Sequence, residues 1–173
     1  VFPATLTTIG TYAFKGTQLQ KVILPATLKV KTGYAVKDGA FSASALKSVV
    51  IEGSETKFVD TATGTKGAFA NCEQLTDVKF TAEKLTAGSL GQNLFYGCTA
   101  LRNVTLPEKA TEIGKRMFEG CTNLTTITLP ATVTTLLDYC FKDSGLTAID
   151  LGKITTIKQN AFDGCVGLTS VTI

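Results

Sequence analysis

One phenylalanine recurs along the chain at Phe14, Phe41, Phe69, Phe95, Phe118, Phe141 and Phe162, in steps of 27, 28, 26, 23, 23 and 21 residues. A period of this length constrains the fold strongly, because every period must build the same small unit and each unit must bury its apolar face on the next. After each Phe comes a turn-forming stretch, and five or six residues on a Leu opens an L-x-x-V-x-L pattern. It reads LQKVIL at 19–24, LKSVVI at 46–51, LTDVKF at 75–80, LRNVTL at 101–106, LTTITL at 124–129, LTAIDL at 146–151 and LTSVTI at 168–173.

The end of the pattern alternates apolar, variable, apolar with β-branched residues favoured, the signature of a strand buried on one face. Each period is therefore expected to give one short strand to a common ladder, and identical chain direction makes neighbouring strands parallel. Pro3, Pro25, Pro107 and Pro130 follow the apolar pattern directly, and a residue without an N–H ends a strand and turns the chain. A second apolar beat follows at Leu6 and Ile9, Ile113, Val133 and Leu136, and Ile154 and Ile157. Segments such as IGTYAF and IKQNAF, which lead from this beat to the Phe, suggest a short helical turn.

These features predict a leucine-rich-repeat solenoid: a β-dominated α/β right-handed superhelix with a parallel ladder and short helical turns. The expected organisation is one array over 1–173 of about seven repeats, cut within a repeat at both ends. Val1-Phe2-Pro3-Ala4-Thr5 already matches Ile23-Leu24-Pro25-Ala26-Thr27, and the last strand pattern stops before its Pro. Because the first residues already lie inside a repeat, their lack of a leader peptide pattern carries little meaning.

Composition narrows function by exclusion. The chain has no histidine, which removes the commonest general base near neutral pH and the commonest ligand of catalytic metals. No pairing of Asp, Glu, Lys or Tyr suggests a catalytic site, and neither cofactor nor metal is expected. The net charge of +3 comes from scattered Lys, Arg, Asp and Glu, so a nucleic-acid partner is not expected. No apolar run approaches the 18 or so residues of a membrane span.

The chain resembles the BspA-like leucine-rich repeats of bacterial surface proteins, whose pattern is clearest in TEIGKRMFEGCTNLTTITLP from Thr111 to Pro130 and TTIKQNAFDGCVGLTSVTI from Thr155 to Ile173. The resemblance covers the whole chain, with departures from the spacing at 29–39, 53–67 and 82–93. It implies a secreted or cell-surface, non-catalytic protein whose partner is a host or neighbouring-cell surface protein or glycan. No catalytic residue is associated with the motif.

Cys72, Cys98, Cys121 and Cys165 each sit three residues after the Phe, so they are a repeat position and not a metal or redox motif. Where Cys is present the Phe-to-Leu step is six residues; where it is absent, after Phe14, Phe41 and Phe141, the step is five. Free, inward-facing thiols in a wider turn are expected, with Cys140 as a core filler. Gly16, Gly97, Gly120 and Gly164 lack the context of a phosphate loop and read as turn residues with positive φ.

Two surfaces are candidates for binding. The first is the outward face of the strands: Lys21, Ile23, Ser48, Val50, Asp77, Lys79, Asn103, Thr105, Thr126, Thr128, Ala148, Asp150, Ser170 and Thr172. The second is a ridge formed by the insertions, carrying Tyr34, Lys57, Phe58, Asp60 and Lys66. The leading expectation is a surface module that binds protein or glycan. A spacer, or a targeting module of a larger secreted hydrolase, are the alternatives.

Overall fold

The computed structural model describes residues 2–28, 33, 35–53, 56, 58, 67–81 and 90–173. The strand patterns form β1 (Lys21–Leu24), β2 (Ser48–Ile51), β3 (Asp77–Phe80) and β4 (Asn103–Thr105), joined in that order as one parallel sheet. Their register aligns Val22, Val49, Val78 and Val104. Alternation sets the faces as expected: Val22 and Leu24 are buried, whereas Ile23 between them is 37% exposed.

This front ladder is not continuous through all the strand patterns, which corrects the expectation of one strand from each. Residues 124–129 form no strand, and β7 (Ala148–Asp150) pairs only with β9 (Ser170–Thr172). The bonds that close each strand differ between the two parts of the array. Glu52 N donates to Leu24 O at 3.0 Å and Thr81 N donates to Ile51 O at 2.9 Å. Pro107 and Pro130 occupy the equivalent positions in the next two periods and have no N–H to give. In the following one, Gly152 N donates to its own Asp150 carboxylate at 2.9 Å instead of to the neighbour.

The second apolar beat builds a ladder of its own, which the sequence reading did not anticipate. β5 (Glu112–Ile113), β6 (Thr135–Leu136) and β8 (Thr156–Ile157) form a parallel sheet, and Ile9, Val36 and Phe58 are linked by parallel bridges at the same place in earlier periods. It covers the part of the array where the front ladder lapses. Threonine hydroxyls reinforce both ladders from outside: Thr76 Oγ1 donates to Lys47 O at 3.0 Å and Thr155 Oγ1 to Thr134 O at 3.2 Å.

The expected helical turns are absent; among the described residues there is no helix. The residue two before the Phe has a left-handed backbone at Tyr12, Asn93, Arg116, Tyr139 and Asn160, with φ between 53° and 59°. So has the residue two after it, from Ala43 at 52° to Gly120 at 75°. A left-handed residue on each side of the Phe interrupts any right-handed helix. The N–H groups bond across repeats instead, as in Phe118 N to Cys140 O at 2.8 Å and Phe141 N to Ala161 O at 2.9 Å.

The seven phenylalanines stack as one spine, with successive ring centroids 5.1 to 5.8 Å apart and planes within 6° to 14° of parallel. Phe41, Phe69, Phe95, Phe118 and Phe141 are fully buried, and the Leu columns beside them complete the core. Stacking turns small apolar faces into one continuous interior, each large side chain contributing about 1.5–3 kcal/mol.

Candidate functional site

The four-stranded front ladder carries side chains outward in two rows. Register places Lys21, Ser48, Asp77 and Asn103 in one row and Ile23, Val50, Lys79 and Thr105 in the other. Eight of the sequence-derived candidates, the polar Lys21, Ser48, Asp77, Lys79, Asn103 and Thr105 with Ile23 and Val50, thus share one surface. At its centre Asn103 Nδ2 donates to Asp77 Oδ1 at 2.7 Å, and Thr76 Oγ1 donates to Asp77 Oδ2. The Thr76 bond first, and the Asn103 bond second, hold the Asp77 carboxyl below its ordinary range, so it is ionised well into acid. An exposed carboxylate is fixed between neutral donors, with Lys79 two residues on.

The other candidates are not on that surface. Thr126 and Thr128 are exposed but belong to the unpaired segment, and Asp150 lies on β7 with its carboxylate engaged by Gly152. Ala148, Ser170 and Thr172 lie on the separate β7–β9 pair. Phe58, expected on a ridge, is fully buried with its ring 6.1 Å from that of Phe69, because it supplies the second apolar beat of its period. Tyr34, Lys57, Asp60 and Lys66 lie outside the described residues.

The cysteines are free thiols; Cys72, Cys98, Cys121 and Cys140 are buried and Cys165 is half-buried. Cys72, Cys98, Cys121 and Cys165 each donate from Sγ to the Phe carbonyl of the preceding repeat, at 3.1, 3.1, 3.3 and 3.0 Å. Where the turn is one residue shorter the same position holds Thr17, Ser44 or Ser144, and Thr17 and Ser44 turn their hydroxyls to the Phe carbonyl of their own repeat, at 3.0 and 2.7 Å. The column is therefore one of small donors throughout, a regularity visible in the sequence once Thr and Ser are read beside Cys. Burial pushes the thiols of Cys72, Cys98 and Cys121 up and that of Cys140 to about 12, which removes thiolate chemistry at neutral pH. Among the described residues no cluster of Cys, Asp or Glu is arranged to hold a metal ion, and no helix is long and apolar enough to cross a membrane.

A second surface feature was missed in the sequence. A cleft of about 340 Å³ opens between the corner at Leu129–Ala131 and the corner at Asp150–Lys153. Leu151 is followed by Ile154 after three residues, whereas Leu24 to Leu28 and Leu129 to Val133 take four. The shorter corner, turned early by Gly152 at φ 36° under its Asp150 cap, falls short of its neighbour and leaves the gap. That one-residue deletion was the available signal.

The sequence pattern of the BspA type leucine rich repeat region matches this chain in six copies, over residues 1–88 and 63–173. No curated protein matches it. Among solved structures, a leucine-rich repeat protein from Eubacterium ventriosum is similar with a TM-score of 0.70 at 23% identity, over 84% of this chain and 36% of that one. A leucine-rich repeat protein from Bacteroides ovatus is similar with a TM-score of 0.59 at 23% identity, over 89% of this chain and 33% of that one. A leucine rich cell surface protein from Faecalibacterium prausnitzii is similar with a TM-score of 0.53 at 26% identity, over 89% of this chain and 47% of that one. The chain thus spans between a third and a half of the length of the proteins it resembles.

Proposed function

Because the chain belongs to the BspA-type leucine-rich repeat family, we propose that it is a non-catalytic binding module of a bacterial secreted or cell-surface protein. It acts as one array over 1–173, and its ligand is a protein or glycan of a host or neighbouring cell, held on the outward face of β1–β4. The observation that carries this reading is the row Lys21, Ser48, Asp77, Asn103 beside Lys79 and Thr105, six polar side chains on one ladder over a rigid apolar spine. A fixed backbone presents these groups with little loss of freedom on binding. The Faecalibacterium protein's description as a cell surface protein supports the location.

The test is a binding titration of the array against a panel of extracellular proteins and glycans, repeated with Asp77→Ala/Lys79→Ala. The expected result is a ligand whose affinity falls at least about tenfold in the double variant. A ligand bound equally well by both chains contradicts the assignment of the face.

A further inference from the structure

Lys21, Lys47, Lys79 and Arg102 are scattered along the sequence, one in each of the first four strand patterns, and the register gathers them at the front ladder. Lys21 and Lys79 stand in the outward rows of β1 and β3. Lys47 and Arg102 stand at the corners that open β2 and β4, where Lys47 N donates to Gln20 O at 2.7 Å and Arg102 N donates to Thr76 O at 3.0 Å. All four side chains are exposed, and among the described residues none of them makes an ion pair. The one carboxylate of these patterns, Asp77, already accepts from Thr76 and Asn103. Four cations against one carboxylate leave an excess of three, equal to the +3 of the entire chain, so the remaining charges of the sequence balance. The three later strand patterns hold no cation and one carboxylate, Asp150. The net charge of the molecule is thus concentrated at β1–β4.

The same face presents an aliphatic pair, because exposed Ile23 and half-buried Val50 are register partners. Its two outward rows carry no aromatic side chain on which a sugar or a base would stack. A cationic surface with an aliphatic strip complements carboxylates set around an aliphatic side chain: opposite charge steers and orients the encounter, and the aliphatic contact excludes water. Lys47 and Arg102 stand two strands apart, about 10 Å, a distance that carboxylates three residues apart in an extended segment also span. We infer, resting on the assignment of β1–β4 as the binding face, that this face takes an acidic segment of a protein partner. Its carboxylates meet Lys47, Lys79 and Arg102, and an aliphatic side chain covers Ile23 and Val50.

The test selects linear peptides displayed on phage against the intact array and titrates the synthesised peptides, in parallel with a heparin oligosaccharide and a DNA duplex. The expected result is peptides enriched in Asp and Glu around an aliphatic residue. Their affinity weakens as salt is raised and falls at least about tenfold in Lys47→Glu/Arg102→Glu. Lys153→Glu/Lys158→Glu changes the net charge equally but lies off the face, and leaves the affinity unchanged. The side chains replaced in both pairs are exposed, so both variants fold. Ile23→Ser, which alters no charge, weakens binding at least about threefold. Peptides without acidic enrichment that lose affinity in Asp77→Ala/Lys79→Ala overturn the acidic partner and leave the binding face in place. Peptides indifferent to every substitution on β1–β4, or weakened equally by both charge-reversed pairs, overturn the inference together with the face. Failure to select any peptide, or heparin or DNA bound in preference to all of them with loss in Lys47→Glu/Arg102→Glu, overturns the protein segment as occupant.

Discussion

Phe118 touches the rings of Phe95 and Phe141 at 5.8 and 5.5 Å and is fully buried, so its removal opens a cavity shared by two repeats. Phe118→Ala is expected to cost about 3–5 kcal/mol, measured by chemical denaturation. Glu119 beside it is a different kind of residue. It is only 8% exposed, its Oε2 has no hydrogen bond, and Arg116 Nη1 stands 3.4 Å away as an ion pair while its guanidinium lies over the Tyr139 ring. Burial outweighs Arg116 and raises its carboxyl above the ordinary range. A raised acid favours the folded chain below the unfolded pKa, and that contribution is lost as pH rises through the folded value. Glu119→Gln should therefore melt higher than the parent at neutral pH, with the difference vanishing in acid; equal melting temperatures at pH 7 would refute it. The thiols follow the same logic: the four buried cysteines should resist a thiol reagent in the folded chain at pH 8, and all five should react after unfolding. The sequence showed Cys72, Cys98, Cys121 and Cys165 as a repeat position, but the Phe carbonyl each one meets belongs to the preceding repeat and appears only when repeats are stacked.

The strands and turns differ in how readable they were. β1–β4 followed from alternation alone, because one buried face fixes period two. The second ladder was legible only as scattered apolar positions, since two-residue strands such as Glu112–Ile113 are too short to display a period. The absence of helical turns depended on backbone sign: Tyr12, Arg116 and Tyr139 hold left-handed conformations that their side chains do not advertise, whereas the glycines at 16, 97, 120 and 164 did. Gly145 shows how tight the short turns are, because a Cβ there would lie 2.1 Å from Thr122 O. Gly145→Ala is expected to destabilise by about 1–3 kcal/mol, read from the denaturation midpoint. Hydrogen exchange should separate the strands as their pairing does, with β2 amides between two partners protected longest and Thr126–Leu129 exchanging fastest among the strand patterns.

Across the array, stability is carried by contacts between neighbouring repeats, and each repeat rests on the one before it and the one after. The candidate binding face was legible where the ladder is regular and misread where it lapses: Thr126 and Thr128 lie in the unpaired segment before Pro130, and Asp150 turns its carboxylate to Gly152 on the separate β7–β9 pair. Phe58 was misread because its period is lengthened by insertion, so its place in the second beat is concealed until Val36 is seen bridged to it. The central claim is that the phenylalanine column couples adjacent repeats into one array. Hydrogen exchange of Phe118→Ala tests it most directly. Protection should fall both at Phe95–Leu101 and at Phe141–Leu146, the turns on either side of the vacated ring, while β1 and β2 keep theirs. Protection unchanged in both neighbouring turns would contradict the coupling.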